Sequence, residues 1–182
     1  MISGAHGHIR QADADDAAAL CACYRSGDLR ASVLDGKREP LEPSLDELRE
    51  TLGRPEVGPG LFYAAEDLQG CVRLFCALRR APFEARFGEF VVFYGEESEL
   101  EQPIAGEMMA FIHRRAFTEM NLRKLTAHCL TIEERLAQFL RSHGFVGQGI
   151  MREAYYARGR WHDFEALALL ASDALERPAC PS

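Results

Sequence analysis

A histidine and a cysteine stand side by side at His128 and Cys129, one of two places where neighbouring side chains suggest chemistry. Such a pair acts as nucleophile and base only when the two side chains touch. Residues 124–130 alternate in hydrophobicity, which predicts a strand, and neighbouring strand residues point to opposite faces. The sequence therefore excludes a nucleophilic pair at this position.

The second place is formed by His6 and His8, whose two imidazoles are close enough to share a metal ion. They lie in a Gly/His-rich start without periodicity, and no further ligands accompany them. We therefore predict no metal site. The cysteines lack the C-x-x-C spacing of structural zinc and lie mostly in apolar segments, which predicts reduced core thiols. They are Cys21, Cys23, Cys71, Cys76, Cys129 and Cys180.

The composition indicates one globular domain rather than a disordered or nucleic-acid-binding chain. Of the 182 residues, 47% are hydrophobic and 27% are charged, which suffices for a sizeable core. The formal charge of −7 opposes binding to nucleic acid, which needs clustered Lys and Arg. No apolar run approaches the roughly 18 residues of a membrane span, and no signal peptide is recognisable. We expect a cytoplasmic protein that binds neither nucleic acid nor a membrane.

Hydrophobic periodicity and capping signals predict strands and helices in a defined order. Helices are predicted after Asp13, after the capping box Ser44–Glu47, over 104–120, and after a second capping box at Thr131 with Ile132 facing inward. The order predicts an α/β or α+β domain with a mixed central sheet of about seven strands, flanked by about four helices. The predicted strands are 9–12, 61–66, 71–78, 87–94, 124–130, 149–157 and 162–170.

This order of elements, together with two stretches of sequence, resembles the GCN5-related N-acetyltransferase (GNAT) superfamily. The first stretch, 88–95, has an acidic residue, then apolar residues and a closing Gly, like the fourth strand of that family. The second combines Asn121 to Leu125, His143 to Val146 and Arg152 to Asp163. The residues and spacing of this second stretch are similar to those of the RimJ/RimL-like branch, which acetylates the N-termini of ribosomal proteins and related amines.

The resemblance implies a GNAT fold and a single acyltransferase domain over residues 9–172. A flexible N-terminus (1–8) and a flexible C-terminal tail (173–182) would flank it. The stretch from Ser26 to Gly60, which would help to build the acceptor site in this fold, contains no recognisable motif.

The resemblance also implies that acetyl-CoA binds between the fourth and fifth strands, which diverge in this family. Backbone groups of Phe90, Val91, Val92 and Phe93 would hydrogen-bond the pantetheine arm. The pyrophosphate loop would fall on residues 100–105, and a shift of one residue would bring in Gly106. The residues expected to bind the cofactor there are Pro103, Ile104, Ala105 and Gly106.

That loop departs from the family pattern, Arg/Gln-x-x-Gly-x-Gly/Ala. Leu100 replaces the basic residue, Pro103 replaces the central Gly and removes an N–H donor, and only Ala105 conforms. Four nearby carboxylates would each oppose a pyrophosphate by about 2–3 kcal/mol before screening, at an effective dielectric near 20. These carboxylates are Glu96, Glu97, Glu99 and Glu101. Alternatively, they lie in a solvated loop in which Glu99 and Glu101, near the N-terminus of the following helix, interact favourably with its dipole.

Acetyl transfer to an amine needs a proton acceptor for the amine and a proton donor for the departing thiolate. Glu89 is the predicted base, because a carboxylate on the fourth strand can reach the amine through a water. The alternative is that Glu89 only pairs with an arginine. The family's tyrosine acid aligns with Leu140, so Tyr94 is the predicted acid, with Tyr155 and Tyr156 as further candidates.

Three functions follow from these residues and the resemblance. The first is acetyl transfer from acetyl-CoA to a small-molecule amine or a peptide N-terminus by direct attack. The second is a non-catalytic GNAT-fold binding protein that has lost the acyl-CoA site. The third is an acyltransferase whose donor is an acyl chain on a carrier protein. The exposed aromatic hairpin from Tyr155 to Trp161 is of the kind that often pairs in homodimers.

Overall fold

A three-residue parallel pairing joins two halves of an otherwise antiparallel sheet. In the computed structural model, the structure describes residues 2–25, 43–54, 60–80, 85–157 and 159–176. Cys180, the end of the tail from residue 177, and most of the stretch between Ser26 and Gly60 lie outside these residues.

The described residues form eight strands in one sheet, with the order β1-β2-β3-β4-β5-β6-β8-β7. The mixed sheet and the fold class are as predicted, and the count exceeds the prediction by the short strand β1. The strands are β1 (Ile2–Ser3), β2 (Gly7–Gln11), β3 (Gly60–Asp67), β4 (Val72–Arg80), β5 (Phe87–Tyr94), β6 (Lys124–Leu130), β7 (Val146–Ala157) and β8 (Arg160–Leu170).

Five α-helices lie among the described residues, one more than predicted, because the chain forms a short helix directly after β8. A 3-10 helix (Glu97–Glu101) precedes the third α-helix, and a π-helical segment (Arg114–Glu119) follows it. Asn121, with a positive φ of 53°, then turns the chain into β6. The α-helices are α1 (Ala17–Arg25), α2 (Leu45–Gly53), α3 (Pro103–His113), α4 (Glu134–Ser142) and α5 (Ala171–Glu176).

The strands β5 and β6 separate soon after they meet. Their parallel register covers only Phe87–Glu89 against Lys124–Thr126. Beyond it β5 remains paired with β4 as far as Tyr94, and β6 remains paired with β8 as far as Leu130. A cleft therefore opens in the middle of the sheet, as the resemblance implied.

Alternation along β5 sends its side chains into two separate cores. Phe90, Val92 and Tyr94 pack with α3 and α4 on one face. Val91 and Phe93 pack with α1 and α2 on the other face. The two helical layers therefore hold β5 in place from both faces of the sheet, beyond the point where it separates from β6.

Several helix starts follow the sequence, and one does not. Ser44 and Glu47 form the predicted reciprocal capping box of α2. The box predicted at Thr131 is wrong: α4 begins at Glu134, and the buried carboxylate of Glu133 instead accepts a hydrogen bond from the Leu130 N–H at 2.7 Å. Ile132, predicted to face inward, is 54% exposed because it precedes the helix.

Secondary structure extends beyond both ends of the predicted domain. The sheet begins at Ile2, before the predicted start at residue 9, because β1 pairs with β2 in the register Ile2 to Ile9. The helix α5 occupies residues 171–176, where the tail was predicted to begin.

The described cysteines are reduced, and four of the five are buried. Burial raises the pKa of the Cys129 thiol to about 12, so it stays protonated and unreactive. Cys71, predicted to be a core thiol, is exposed because it lies in the turn before β4.

We predict that Gly7→Ala lowers the stability of the fold by about 1–3 kcal/mol, because an added Cβ overpacks a closed space. That atom would lie 2.1 Å from the backbone oxygen of Glu66 and 2.9 Å from Cδ1 of Ile104 at the start of α3. Urea unfolding measures the loss. Gly53→Ala is the matched control, since the nearest atom to its added Cβ would be the Cβ of Ala14 at 4.0 Å, an ordinary contact distance. Equal stability of the two variants would contradict the prediction.

Candidate functional site

Two polar side chains face each other where β5 and β6 separate. Glu89 is the last β5 residue paired with β6, and His128 lies two residues beyond its β6 partner Thr126. Their side chains project on the same sheet face, with Glu89 Oε1 3.4 Å from His128 Nδ1. Both are about one third exposed, at 36% and 34%, so a ligand in the cleft can reach them.

An arginine holds the other side of the Glu89 carboxylate. Arg79 is the β4 residue directly opposite Glu89, and its Nη1 lies 3.6 Å from Glu89 Oε2. The pairing of Glu89 with an arginine, which the sequence left as an alternative, is therefore present. The His128 hydrogen bond lowers the pKa of Glu89 against the opposing effect of burial, and Arg79 lowers it further. Glu89 is thus an ionised carboxylate with two partners.

Aromatic side chains of the β7–β8 hairpin continue the same face of the sheet. The Phe164 ring stands edge-on to His128, with ring centroids 6.3 Å apart. Tyr155 meets Phe164 in the same way at 5.9 Å, and burial raises the pKa of its hydroxyl. A carboxylate, an imidazole and two aromatic rings therefore line one continuous surface beside the cleft.

The structure does not bring Tyr94 to this surface. Tyr94 lies five residues beyond Glu89 along β5, about 16 Å at the usual rise of a strand. Its side chain is 2% exposed and points into the core on the opposite face. Tyr94, predicted as the proton donor to the thiolate, therefore lies in the core and not on the surface that carries Glu89.

The segment 90–93, predicted to contact the pantetheine arm, forms the edge of the cleft. The side chains of Phe90, Val91, Val92 and Phe93 are all buried, at 3% exposure or less. Their backbone groups pair with β4 on one side, whereas the pairing with β6 has ended at Glu89 on the other side. Only the backbone of this segment can contact a ligand, and it can do so as a strand would.

The loop after β5 binds one of its own carboxylates. The side chain of Glu99 accepts hydrogen bonds from the N–H groups of Gly95 at 2.6 Å and Glu96 at 3.2 Å. Leu100, which stands in the basic position of the family pattern, is 6% exposed and packs into the core. These residues thus stabilise the loop from within.

The predicted phosphate-binding residues form the first turn of α3. Pro103 is the first residue of this helix, and the Ala105 N–H bonds to the Gln102 carbonyl at 2.9 Å. Ile104 and Ala105 are buried, at 2% and 0% exposure, so their side chains belong to the core. Gly106 is partly exposed, and a Cβ there would lie 3.8 Å from Nε2 of His143, the residue directly after α4.

Arg135 of α4 places a positive charge against this acidic loop. Its Nε lies 3.2 Å from Glu97 Oε2, and its Nη1 lies 2.6 Å from Glu101 Oε1. The loop follows β5 and α4 follows β6, so these ion pairs join the two sides of the cleft. The repulsion inferred from the sequence is therefore too large, because it counted the carboxylates without this guanidinium.

His128, Arg135 and Arg79 are functional candidates that the sequence did not identify. The sequence suggests a partner for His128 only in Cys129, its neighbour along the chain. The parallel pairing of β6 with β5 instead brings His128 beside Glu89. Arg135 meets residues more than 30 positions away, so no local pattern indicates it.

The described residues contain no group of three or more His, Cys, Asp or Glu side chains arranged to hold a metal ion. The two histidines near the N-terminus have protein partners instead. His6 Nδ1 lies 2.8 Å from the Glu107 carboxylate of α3, and His8 Nδ1 lies 3.0 Å from the Ser3 hydroxyl. Within the described part of the chain, no helix has the length and apolar character needed to cross a membrane.

Known proteins are similar to this chain in sequence and in fold. A family model described as "Acetyltransferase (GNAT) domain" matches residues 9–165. A probable N-acetyltransferase of Bacillus subtilis (strain 168), YjcK, is 30% identical over 115 residues, which are 63% of this chain. The match spans 61% of the length of that curated relative.

Solved structures with the same fold include spermidine N-acetyltransferases from Vibrio cholerae. One, in complex with CoA and spermine, has a TM-score of 0.78 and 20% identity, and the alignment covers 95% of this chain and 100% of that chain. A dodecameric form has the same TM-score and identity, with 97% and 100% covered. At this level of identity, the likeness establishes the fold.

We predict that Glu89→Gln destabilises the protein more near neutral pH than in acid. The pKa of Glu89 is lower in the folded protein than in the unfolded chain. Its stabilising effect is therefore present above the unfolded pKa and is lost as the pH falls through the folded pKa. Urea unfolding of both proteins from about pH 6 to about pH 3 measures the effect. A difference independent of pH would contradict it, and Glu50→Gln, at an exposed position on α2, serves as the control.

Proposed function

Because the chain belongs to the GNAT acetyltransferase family, we propose that it transfers an acetyl group from acetyl-CoA to an amine by direct attack. The observation that carries this proposal is the cleft between β5 and β6, with Glu89 and His128 at its closed end. A strand edge without a neighbour can take an extended ligand, and the paired polar side chains can take a proton.

The pantetheine arm fits the cleft edge of β5. The backbone of Phe90, Val91, Val92 and Phe93 would hold it by hydrogen bonds, as the free edge of a sheet holds an added strand. When bound, acetyl-CoA supplies an activated thioester carbonyl. The chain's own contribution is to direct an amine to that carbonyl beside Glu89 and His128.

The phosphates fit only if internal contacts are exchanged. The backbone at the start of α3, from Pro103 to Gly106, would lie beside the pyrophosphate. Arg135 would leave Glu97 and Glu101 for the phosphate oxygens, because a guanidinium binds phosphate and carboxylate with the same donor geometry. It would replace the basic residue that the loop itself lacks.

The acceptor is proposed to be a small-molecule amine or a peptide N-terminus. The structural neighbours are spermidine N-acetyltransferases, one of them in complex with CoA and spermine, and spermidine and spermine are small amines. A peptide N-terminus is the other proposed acceptor. It is supported by the three stretches that resemble the RimJ/RimL-like branch, Asn121 to Leu125, His143 to Val146 and Arg152 to Asp163. Glu89 is part of the catalytic site in either case, and a location in the cytoplasm remains a prediction.

A non-catalytic binding protein is the second candidate, and one observation favours it. The Glu99 carboxylate occupies the N–H groups of Gly95 and Glu96, and Arg135 is occupied by two carboxylates. A protein that never binds a phosphorylated donor would keep these contacts permanently.

We predict that millimolar acetyl-CoA raises the melting temperature, since a ligand at about 100 times its Kd adds roughly 2.7 kcal/mol of stability. Arg135→Ala should reduce this shift, because the phosphates lose their cation. Arg49→Ala should keep it, because Arg49 is an exposed residue whose guanidinium pairs with Asp46 of the same helix, α2.

A coupled assay of free thiol then tests transfer to spermidine and to a short peptide with a free N-terminus. Acetylated product confirmed by mass spectrometry would establish the activity. The absence of both a melting shift and thiol release would overturn the proposal and leave the binding protein.

We also propose that the chain forms a homodimer through the β7–β8 hairpin. Tyr156 and Trp161 are 52% and 58% exposed and pack against each other at 5.2 Å. The strand β7 is an edge of the sheet, so its outer backbone groups can also pair with another chain.

The expected result is a dimer or larger assembly by light scattering, and a smaller particle for the double variant Tyr156→Ser/Trp161→Ser. The control is Leu68→Ser, which removes another exposed apolar side chain, 64% exposed, from the β3–β4 turn. If the double variant has the mass of the wild type, the hairpin is not the interface.

A further inference from the structure

We propose that His128, through Nε2, is the group that takes the proton from the acceptor amine, and that Glu89 and Arg79 position it. This inference rests on the proposed acetyl transfer and assigns the roles within its site. It differs from the expectation drawn from the sequence, in which Glu89 itself was the base.

The hydrogen bond between the two side chains determines which ring nitrogen is available. Glu89 Oε1 faces Nδ1 of His128 at 3.4 Å, a distance at the long end for a hydrogen bond. An ionised carboxylate only accepts hydrogen bonds, so Nδ1 must carry the proton of the neutral imidazole. Nε2 then has its lone pair free, on the side of the ring away from Glu89.

Glu89 is poorly suited to be the base itself. One of its oxygens faces His128 and the other faces Arg79 at 3.6 Å. Both contacts stabilise the ionised form, and the pKa of Glu89 is lowered. A carboxylate that holds its charge so readily gains little by accepting a proton from an ammonium group, whereas an imidazole exchanges protons near neutral pH.

The surroundings of His128 suit this role. Thr126 precedes His128 on the same face of β6. On β8, Ala166 is paired with His128 and the Phe164 ring stands edge-on to the imidazole. The charged and titratable groups that face it among the described residues are Glu89 from β5, Arg79 behind Glu89 from β4, and Tyr155 behind Phe164 from β7. The one carboxylate in contact therefore also stabilises the imidazolium that forms.

The proton and electron balance closes without any further reactant. An acceptor ammonium gives one proton to His128 Nε2, and the amine lone pair forms the new C–N bond at the thioester carbonyl. The C–S bond breaks and its electron pair leaves on sulfur, which takes the second proton from the nitrogen. His128 then releases its proton to solvent, so each turnover of an ammonium acceptor releases one proton.

The first test compares pH profiles of kcat/KM for the wild type, His128→Gln and Glu89→Gln, with acetyl-CoA and whichever amine the wild type acetylates. We expect the wild type to lose activity toward acid pH, because a base that already holds a proton cannot take one from the amine. His128→Gln should lose at least about 100-fold, the usual lower range for a general base, and should lack this acid limb. Glu89→Gln should keep the acid limb with a lower maximal rate, because the base is still present but its ring has lost the carboxylate that positions it.

The reverse pattern would overturn the assignment: an acid limb that persists in His128→Gln and disappears in Glu89→Gln makes Glu89 the base. The acetyl-CoA melting shift should be unchanged in both variants, which separates the loss of a proton acceptor from the loss of the donor site.

The second test needs no turnover and therefore remains decisive if the proposed activity fails. An NMR titration of the histidine Cε1–H signals identifies His128 as the signal missing in His128→Gln. In Glu89→Gln the pH dependence of this signal should change, because the imidazole has lost its carboxylate partner, whereas in Glu50→Gln it should not change. An unmoved signal in Glu89→Gln would show that the two groups are not coupled and would overturn the proposal whatever the enzyme does.

Discussion

The short parallel contact between β5 and β6 is the constraint on which the rest of the structure depends. Three residues on each strand join the two halves of the sheet, and the strands then separate while each keeps its antiparallel neighbour. Burial of alternate β5 side chains in two helical layers keeps the strand extended beyond the contact. The sheet can therefore stay open at its centre without losing its core.

The sequence was sufficient for the frame because periodicity and capping are local. The β5 run and the Ser44 capping box of α2 formed as predicted, since neighbouring residues determine them. The Thr131 box failed because the Glu133 carboxylate turned back to the Leu130 N–H, a choice that tertiary packing decides. Local sequence therefore indicates where a helix can start, and the burial of side chains in the folded protein determines which of these positions is used.

The site was less predictable because it consists of contacts between distant segments. Glu89 was found because it stands in a recognisable strand pattern, but its partners Arg79 and His128 lie on two other strands. Only the register of β4 with β5, and of β5 with β6, brings the three together. A charge count along the loop likewise overlooked Arg135, which reaches it from α4.

The ion pairs of Arg135 have a consequence for the end of a catalytic cycle. If the guanidinium exchanges carboxylates for phosphates on binding, the same carboxylates stand ready to take it back. Glu97 and Glu101 would then weaken the hold on the intact donor and on the spent thiol equally, since both carry the same phosphates. Such internal competition lowers the affinity for the donor and speeds the release of the product, which is the slow step in many enzymes.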